Sequence, residues 1–396
     1  MKREAPALEA ALAQLEAAQL RRARVTVEQR ALTGRTLTLA GGRELIDFSS
    51  NDYLGLARHP ALARAMAESA ARVGAGSGAS HLITGHGAEH ARLEEELADF
   101  TRRERALLFS TGYMANLAVI ATLAGRGERV LLDRLCHASL IDGARLSGAT
   151  LVRYPHAAAA AAARLVEADA EHTVLLATDG VFSMDGSIAD LRSICDLADR
   201  YQALVMVDDC HATGFLGQKG RGTPEHCGVP GRIDILSGTL GKALGGASGG
   251  YVSGRKEVVA WLRQRSRPYL FSNALMPAIC AASLAVLDLL EKSDDLRARL
   301  RANAAHFRSG MTDLGFRLVP GEHPIIPVML GDAKLASTFA DRMLEEGVYV
   351  IGFSFPVVPQ GQARIRTQMS AAHTTEHLDR AMQAFAKVGR SLGVIN

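Results

Sequence analysis

Lysine is the scarcest charged residue in this chain of 396 residues: there are seven, within 45 basic side chains that 42 acidic ones nearly balance. The formal net charge is only +3, so no strong pull toward nucleic acid or anionic lipid is implied. No stretch approaches the roughly 20 consecutive apolar residues that span a bilayer. Cysteine is sparse as well. Cys136, Cys195, Cys210, Cys227 and Cys280 are odd in number and far apart, which excludes a disulfide framework and leads us to expect a cytoplasmic protein. The segment Met1 to Arg24 reads as an amphipathic helix with Leu8, Leu12 and Leu15 on one side, without the apolar core of a signal peptide. What remains is ordinary globular composition, 48% hydrophobic and 22% charged.

Short apolar runs alternate with helical patterns. Strands are expected at Ala106 to Phe109, Arg129 to Leu132, His172 to Thr178, Ala203 to Val207 and Ile233 to Ser237. Helical patterns run from Tyr113 to Leu123 and from Ala189 to Tyr201. Such alternation means βαβ units and a largely parallel sheet, an α/β fold. Gly249 to Ser253 adds an expected antiparallel strand. Before this region, Arg35 to Phe48 is β-like and divided by a turn at Gly41 and Gly42. The alanine run Ala157 to Ala163 reads as plain helix. Leu275 to Leu300 is largely helical with a break near Ser293. Strand-like Ile325 to Leu330, Tyr349 to Ile351 and Ala363 to Thr367 then suggest a smaller α+β domain.

In an open parallel sheet, ligands sit beyond the carboxyl ends of the strands. Asp179 and Ser183, Asp208 and His211, and Thr239 and Lys242 all follow expected strands. Lys242 stands apart from the other lysines because its neighbours are Gly, Ala and Leu. Desolvation there would favour a neutral, nucleophilic amine. A P-loop is excluded, since Leu236 and Ala243 occupy the places that motif gives to Gly and to Ser or Thr. Asp208, at the end of a buried strand, suits a protonated pyridine nitrogen, with a metal ligand or a cap as the plain alternatives. The stretch Ser110-Thr-Gly-Tyr-Met-Ala-Asn makes a helix N-terminus able to hold a phosphate. His137 is as readily a buried or capping histidine, and Arg366 either a carboxylate fork or a surface ion pair. The spacing of Asp208, Asp209, Cys210, His211, His226 and Cys227 fits no standard zinc pattern, and no metal is expected.

Taken together, Asn51-Asp-Tyr-Leu-Gly-Leu, His137-Ala-Ser-Leu-Ile-Asp, Thr178-Asp-Gly-Val-Phe-Ser-Met-Asp-Gly, Val207-Asp-Asp-Cys-His-Ala-Thr-Gly, Gly238-Thr-Leu-Gly-Lys and Arg364-Ile-Arg resemble the α-oxoamine synthases. These are a branch of the aspartate-aminotransferase-like (fold type I) pyridoxal-phosphate enzymes. The resemblance runs through nearly the whole chain. It implies a large cofactor-binding domain at 48–280, a small domain at 281–396, and a helix with a β segment at 1–47. It implies that Lys242 carries pyridoxal 5′-phosphate as a Schiff base, that Asp208 faces the ring nitrogen, that His137 stacks on the ring and that His211 bonds its hydroxyl. Gly112, Tyr113, Asp179, Ser183 and Thr239 would help hold the cofactor, and Ser272 and Asn273 would reach the phosphate of a second subunit in an obligate homodimer. Arg366 and Asn51 would contact substrate.

The implied reaction joins a small amino acid to an acyl-CoA, with or without decarboxylation. Up to about residue 170 the chain is most similar to the 8-amino-7-oxononanoate synthase branch, and from about His172 to the 2-amino-3-ketobutyrate CoA ligase branch. Arg21 matches a cation used for a pimeloyl carboxylate, which inclines the reading to L-alanine plus pimeloyl-CoA. Val357 stands where that branch has a threonine, which favours glycine plus acetyl-CoA. An aminotransferase shares the fold and the lysine. A non-catalytic or metal-binding protein on this scaffold is the alternative from another class.

Overall fold

Seven short strands form one sheet in the computed structural model, which describes residues 5–17, 24–32 and 35–396. They are β1 (Arg105–Phe109), β2 (Arg129–Asp133), β3 (Thr150–Tyr154), β4 (Thr173–Asp179), β5 (Leu204–Asp208), β6 (Ile235–Thr239) and β7 (Gly250–Gly254). Their spatial order is β1-β7-β6-β5-β4-β2-β3. β2 to β6 pair in parallel, whereas β7 is antiparallel to both β1 and β6. The inner strands are covered on both faces, which is why they read as unbroken Val, Leu and Ile runs. β3 escaped the sequence reading for the opposite reason. It is the edge strand beyond β2, only Tyr154 in it is buried, and Thr-Leu-Val-Arg-Tyr carries little apolar signal.

Helices cover this sheet by the usual spacing. Leu191–Tyr201 buries Leu191, Ile194, Cys195 and Ala198, a stripe at i, i+3, i+4 and i+7. Asp190 caps it by accepting from Ser193 N at 3.2 Å. The alanine-rich helix forms at Ala159–Glu167. These elements belong to a unit of residues 51–183 and 187–298. The helix Pro277–Lys292 lies wholly within it, so residue 281 falls inside a helix and not at a boundary.

The other compact unit joins the two ends of the chain: residues up to Ser50, 184–186, and Arg299 onward. Strand Glu44–Asp47 pairs in parallel with Val348–Tyr349, so the early β segment is not a separate body. Its turn at Gly41 and Gly42 has φ of 90° and 81° at successive residues, a pairing that Gly adopts without strain. A three-stranded antiparallel sheet has Ala363–Gln368 at its centre, between Ile325–Gly331 and Gly352–Phe353. Phe316, Phe339 and Phe385 pack within 6.3 Å of one another at its core. The described part of the N-terminal helix is Ala5–Ala17. No helix among the described residues is long and apolar enough to cross a membrane.

Candidate active site

β4 ends on Asp179 and β5 on Asp208, and the register pairs these two residues directly. Partners across a ladder share a face, so two carboxylates meet at the carboxyl edge of the sheet. The next residue faces elsewhere. Asp209 accepts from Thr213 Oγ1 at 2.6 Å, Thr223 Oγ1 at 2.5 Å and Thr223 N at 3.1 Å. Gly222, at φ 90°, closes over it, and a Cβ there would stand 1.7 Å from Asp209 Oδ2. Asp209 is therefore a structural clamp, and Asp208 is the carboxylate that lines open space.

That space is a cleft of about 420 Å³, partly open to solvent, within the ordinary size range of a small-molecule site. Asp208 and Lys242 line it together with His137, His211, Asp179 and Thr239. Asp208 is 6% exposed. Asn116 Nδ2 donates to its Oδ2 at 2.6 Å, and Cys210 N donates to its Oδ1 at 3.0 Å. Asn116 is itself held by Ser237 Oγ, which donates to its Oδ1 at 2.6 Å. His137 sits above the strand ends, its N–H donating to Asp179 Oδ1 at 3.0 Å and its Nδ1 2.7 Å from Ser139 Oγ. Tyr53 OH lies 2.7 Å from His211 Nδ1 and sets that ring.

The helix Gly112–Leu123 opens at the cleft, and Gly112 and Tyr113 line it. Thr111 Oγ1 accepts from Met114 N at 3.1 Å, leaving the amides before Met114 without an intrahelical acceptor. The helix reaches the sheet closely because β7 begins with glycine: a Cβ on Gly250 would lie 2.4 Å from Gly112 N. Thr239 stands beside this helix start, its Cβ 3.3 Å from where a Gly112 Cβ would be. Tyr113 hydrogen-bonds Asp142, which pushes its phenol pKa up.

The charges act on one another. Burial and the adjacent Asp208 push the Asp179 carboxyl well above its usual range, against the His137 N–H that favours the anion. Burial holds the His137 imidazole below its ordinary value, and Lys242 adds to this while Asp208 opposes it. Burial and Asp208 together keep the Cys210 thiol protonated. Desolvation and paired charges at a cleft are the usual setting of tuned chemistry.

Asn116, Cys210 and Val181 line the cleft although the sequence reading assigned them nothing. Asn116 could have been found from Gly112, since residues four apart share a helix face. Ser183 is half-buried and is not among the lining residues. Ser272 and Asn273 lie beside Ser110, whose Oγ donates to Asn273 O at 2.9 Å and is 3.4 Å from Ser272 Oγ. Asn51 keeps a buried Oδ1 without a hydrogen-bond partner among the described residues. In the other unit, Arg366 is buried with its guanidinium 5.0 Å from the Phe353 ring centre, and Val357 is exposed. Arg21 lies outside the described residues.

These donors suit a flat, phosphorylated, pyridine-like cofactor. A helix start with free amides offers a phosphate cradle, with Thr239 beside it, its hydroxyl donating to Gly249 O at 3.1 Å; a buried carboxylate with both oxygens pinned offers a partner for a ring N–H, and Lys242 offers an amine. Comparison with known proteins agrees. Residues 43–385 match the aminotransferase class I and II family. The 2-amino-3-ketobutyrate coenzyme A ligase of Salmonella typhimurium is 55% identical over 363 residues, 91% of each chain. The 8-amino-7-oxononanoate synthase of Trichlorobacter lovleyi is 48% identical over 89% of this chain and 91% of that one. The serine palmitoyltransferase of S. paucimobilis superposes with a TM-score of 0.93 at 32% identity, covering 98% of both chains. This chain belongs to the class I and II aminotransferase family with its aspartate-aminotransferase-like fold, and within it is a pyridoxal-phosphate-dependent α-oxoamine synthase, an acyltransferase.

Proposed function

We propose that this enzyme condenses glycine with acetyl-CoA, the pairing of the 2-amino-3-ketobutyrate CoA ligase branch. The observation that carries this is the gradient in similarity: 55% identity to a relative of that name against 48% to an 8-amino-7-oxononanoate synthase, over nearly equal lengths. Val357 supports it, because an apolar side chain offers no hydroxyl to a longer, carboxylated acyl tail. The inclination toward alanine and pimeloyl-CoA rested chiefly on Arg21. It gives way here, since the more similar relatives carry the other name.

When bound, pyridoxal phosphate supplies an electron sink for negative charge on the amino acid Cα. Asp208, pinned by Asn116 and the Cys210 N–H, keeps a proton on the nitrogen that faces it. His137 forms one face of the slot. Gly112, Tyr113 and Thr239 take the phosphate, with Asp179, Ser183 and His211 as further cofactor contacts. Ser272 and Asn273 are assigned to the partner subunit's phosphate in a homodimer. Arg366 is assigned to the amino acid carboxylate, and Asn51 to substrate. The Lys242 amine, which lines the cleft and is the group assigned to carry the cofactor, takes the α-proton. A C–C bond then forms from Cα to the acetyl carbonyl, the C–S bond breaks, and CoA leaves as its thiol with the proton that Lys242 took.

The test is CoA release with the four pairings of glycine or alanine and acetyl-CoA or pimeloyl-CoA. Glycine with acetyl-CoA should give the highest kcat/KM. Faster turnover of alanine with pimeloyl-CoA would reverse the assignment. Amino transfer to a 2-oxo acid as the main turnover without acyl-CoA would replace it with an aminotransferase.

A further inference from the structure

A second reactive constellation stands apart from the Lys242 cleft. Ser187 Oγ lies 3.1 Å from His156 Nε2. The other imidazole nitrogen, Nδ1, is 3.1 and 3.2 Å from the two oxygens of Asp133. Asp133 closes β2, is 2% exposed, and accepts from Leu135 N at 2.8 Å and Ala157 N at 2.9 Å. These amides fix the carboxylate, and the carboxylate fixes the ring. The Phe182 ring meets the imidazole edge-on at 4.5 Å, a second restraint on its orientation. The His156 side chain is 22% exposed and Ser187 is partly exposed, so the hydroxyl end of the series is reachable.

A hydroxyl within hydrogen-bond reach of an imidazole, itself oriented by a buried carboxylate, is the arrangement that activates a serine nucleophile. Asp133 holding Nδ1–H leaves the Nε2 lone pair to accept from Ser187. Nothing in the acyl-transfer chemistry uses these three residues. Asp133 and Phe182 also border a largely apolar cavity with Ala157, Ile194 and Leu197, which neither Ser187 nor His156 lines.

We propose that Ser187, His156 and Asp133 form a second, hydrolytic site that takes short acyl esters or thioesters. Ser187 Oγ bonds to the acyl carbon as its proton passes to His156 Nε2. The bond from that carbon to the leaving oxygen or sulfur breaks, and the leaving group departs with the His156 proton. Water then attacks the acyl-serine, giving its proton to His156, and the acid leaves as the serine recovers its hydrogen. Water is the only co-reactant besides the ester.

The experiment treats the holoenzyme with a fluorophosphonate and locates the adduct by peptide mass spectrometry, with p-nitrophenyl acetate hydrolysis as the second readout. Wild type should be labelled at Ser187. Ser187→Ala should abolish this label, and His156→Gln should slow labelling and ester hydrolysis by about 100-fold or more. Lys242→Ala should keep the label, which separates this site from the cofactor lysine. Ser187→Ala should also keep full CoA release with glycine and acetyl-CoA, which shows that it is folded. An unlabelled wild type, under conditions that label a known serine hydrolase, overturns the proposal. So does an adduct on another residue, or labelling that His156→Gln leaves unchanged.

Discussion

Two regions of this molecule crowd titratable side chains together, and in one of them the groups line a cleft of ligand size. At the sheet edge, Asp179, Asp208, His137 and Lys242 line open space. Around the start of the helix Ala88–Phe100, His81, His86 and His90 gather with Glu94, Tyr269 and Arg263. There His81 Nδ1 meets His86 Nδ1 at 3.1 Å, and the His81 ring lies flat on Tyr269 at 4.7 Å. His90 spends both nitrogens on backbone: Nδ1 accepts from Gly87 N at 3.1 Å, and Nε2 donates to Leu275 O at 2.7 Å. Titration is displaced in this knot as it is in the cleft. Burial lowers His81 to about 3, helped by His90, His86 and Arg263, and burial raises Glu94 to about 7. A displaced pKa therefore marks desolvation in both places. Chemistry requires in addition a volume into which the groups converge.

The contrast breaks most visibly at Lys242. Lys242→Ala should remove the visible absorption of the holoenzyme and lower CoA release by at least about 1000-fold, with folding retained. An unchanged spectrum would unseat this lysine. Asp208→Asn should follow, with kcat/KM down about 100-fold or more, because it removes the charge at nearly unchanged volume and turns an NH2 toward one of the two donors, Asn116 Nδ2 or Cys210 N. Near-wild-type turnover would move the cofactor's partner elsewhere.

In the knot the effects should fall on stability alone. His90→Ala leaves Leu275 O and Gly87 N without their partner, a cost of roughly 2 kcal/mol in urea unfolding, while kcat per folded molecule stays as it was. A loss of kcat with unchanged stability would make the knot functional. The smallest effect is in pH. A histidine kept neutral by the fold, as His81 and His86 are, lets the unfolded chain bind more protons as pH falls from about 6.5, so stability drops on acidification. Glu94 has the opposite sign, since its raised value favours the folded state below about 4.5 and this is lost as pH rises toward 7. His81→Phe should flatten the loss between pH 6.5 and 5 by on the order of 1 kcal/mol, discounted for partial exposure. An unchanged slope would place the acid sensitivity elsewhere.

Local pattern made the chemistry-bearing residues legible. Apolar runs located the inner strands, and an α/β sheet concentrates ligands at their carboxyl ends, so Asp208, Thr239 and Lys242 stood out by position, as did Gly112 and Tyr113 at a glycine-bearing helix start. These properties belong to short stretches of chain, and burial on both faces writes them directly into residue type. Tertiary structure decided the rest. Asp208 and Asp209 are alike on the page, and the pleat with Thr213 and Thr223 makes one a lining group and the other a clamp. Asn116 reaches Asp208 across 92 positions, and Tyr53 reaches His211 across 158. The Asp133, His156 and Ser187 series spans three separate segments. Hydrogen bonds over such distances depend on strand register and loop path, which arise only when the whole sheet closes.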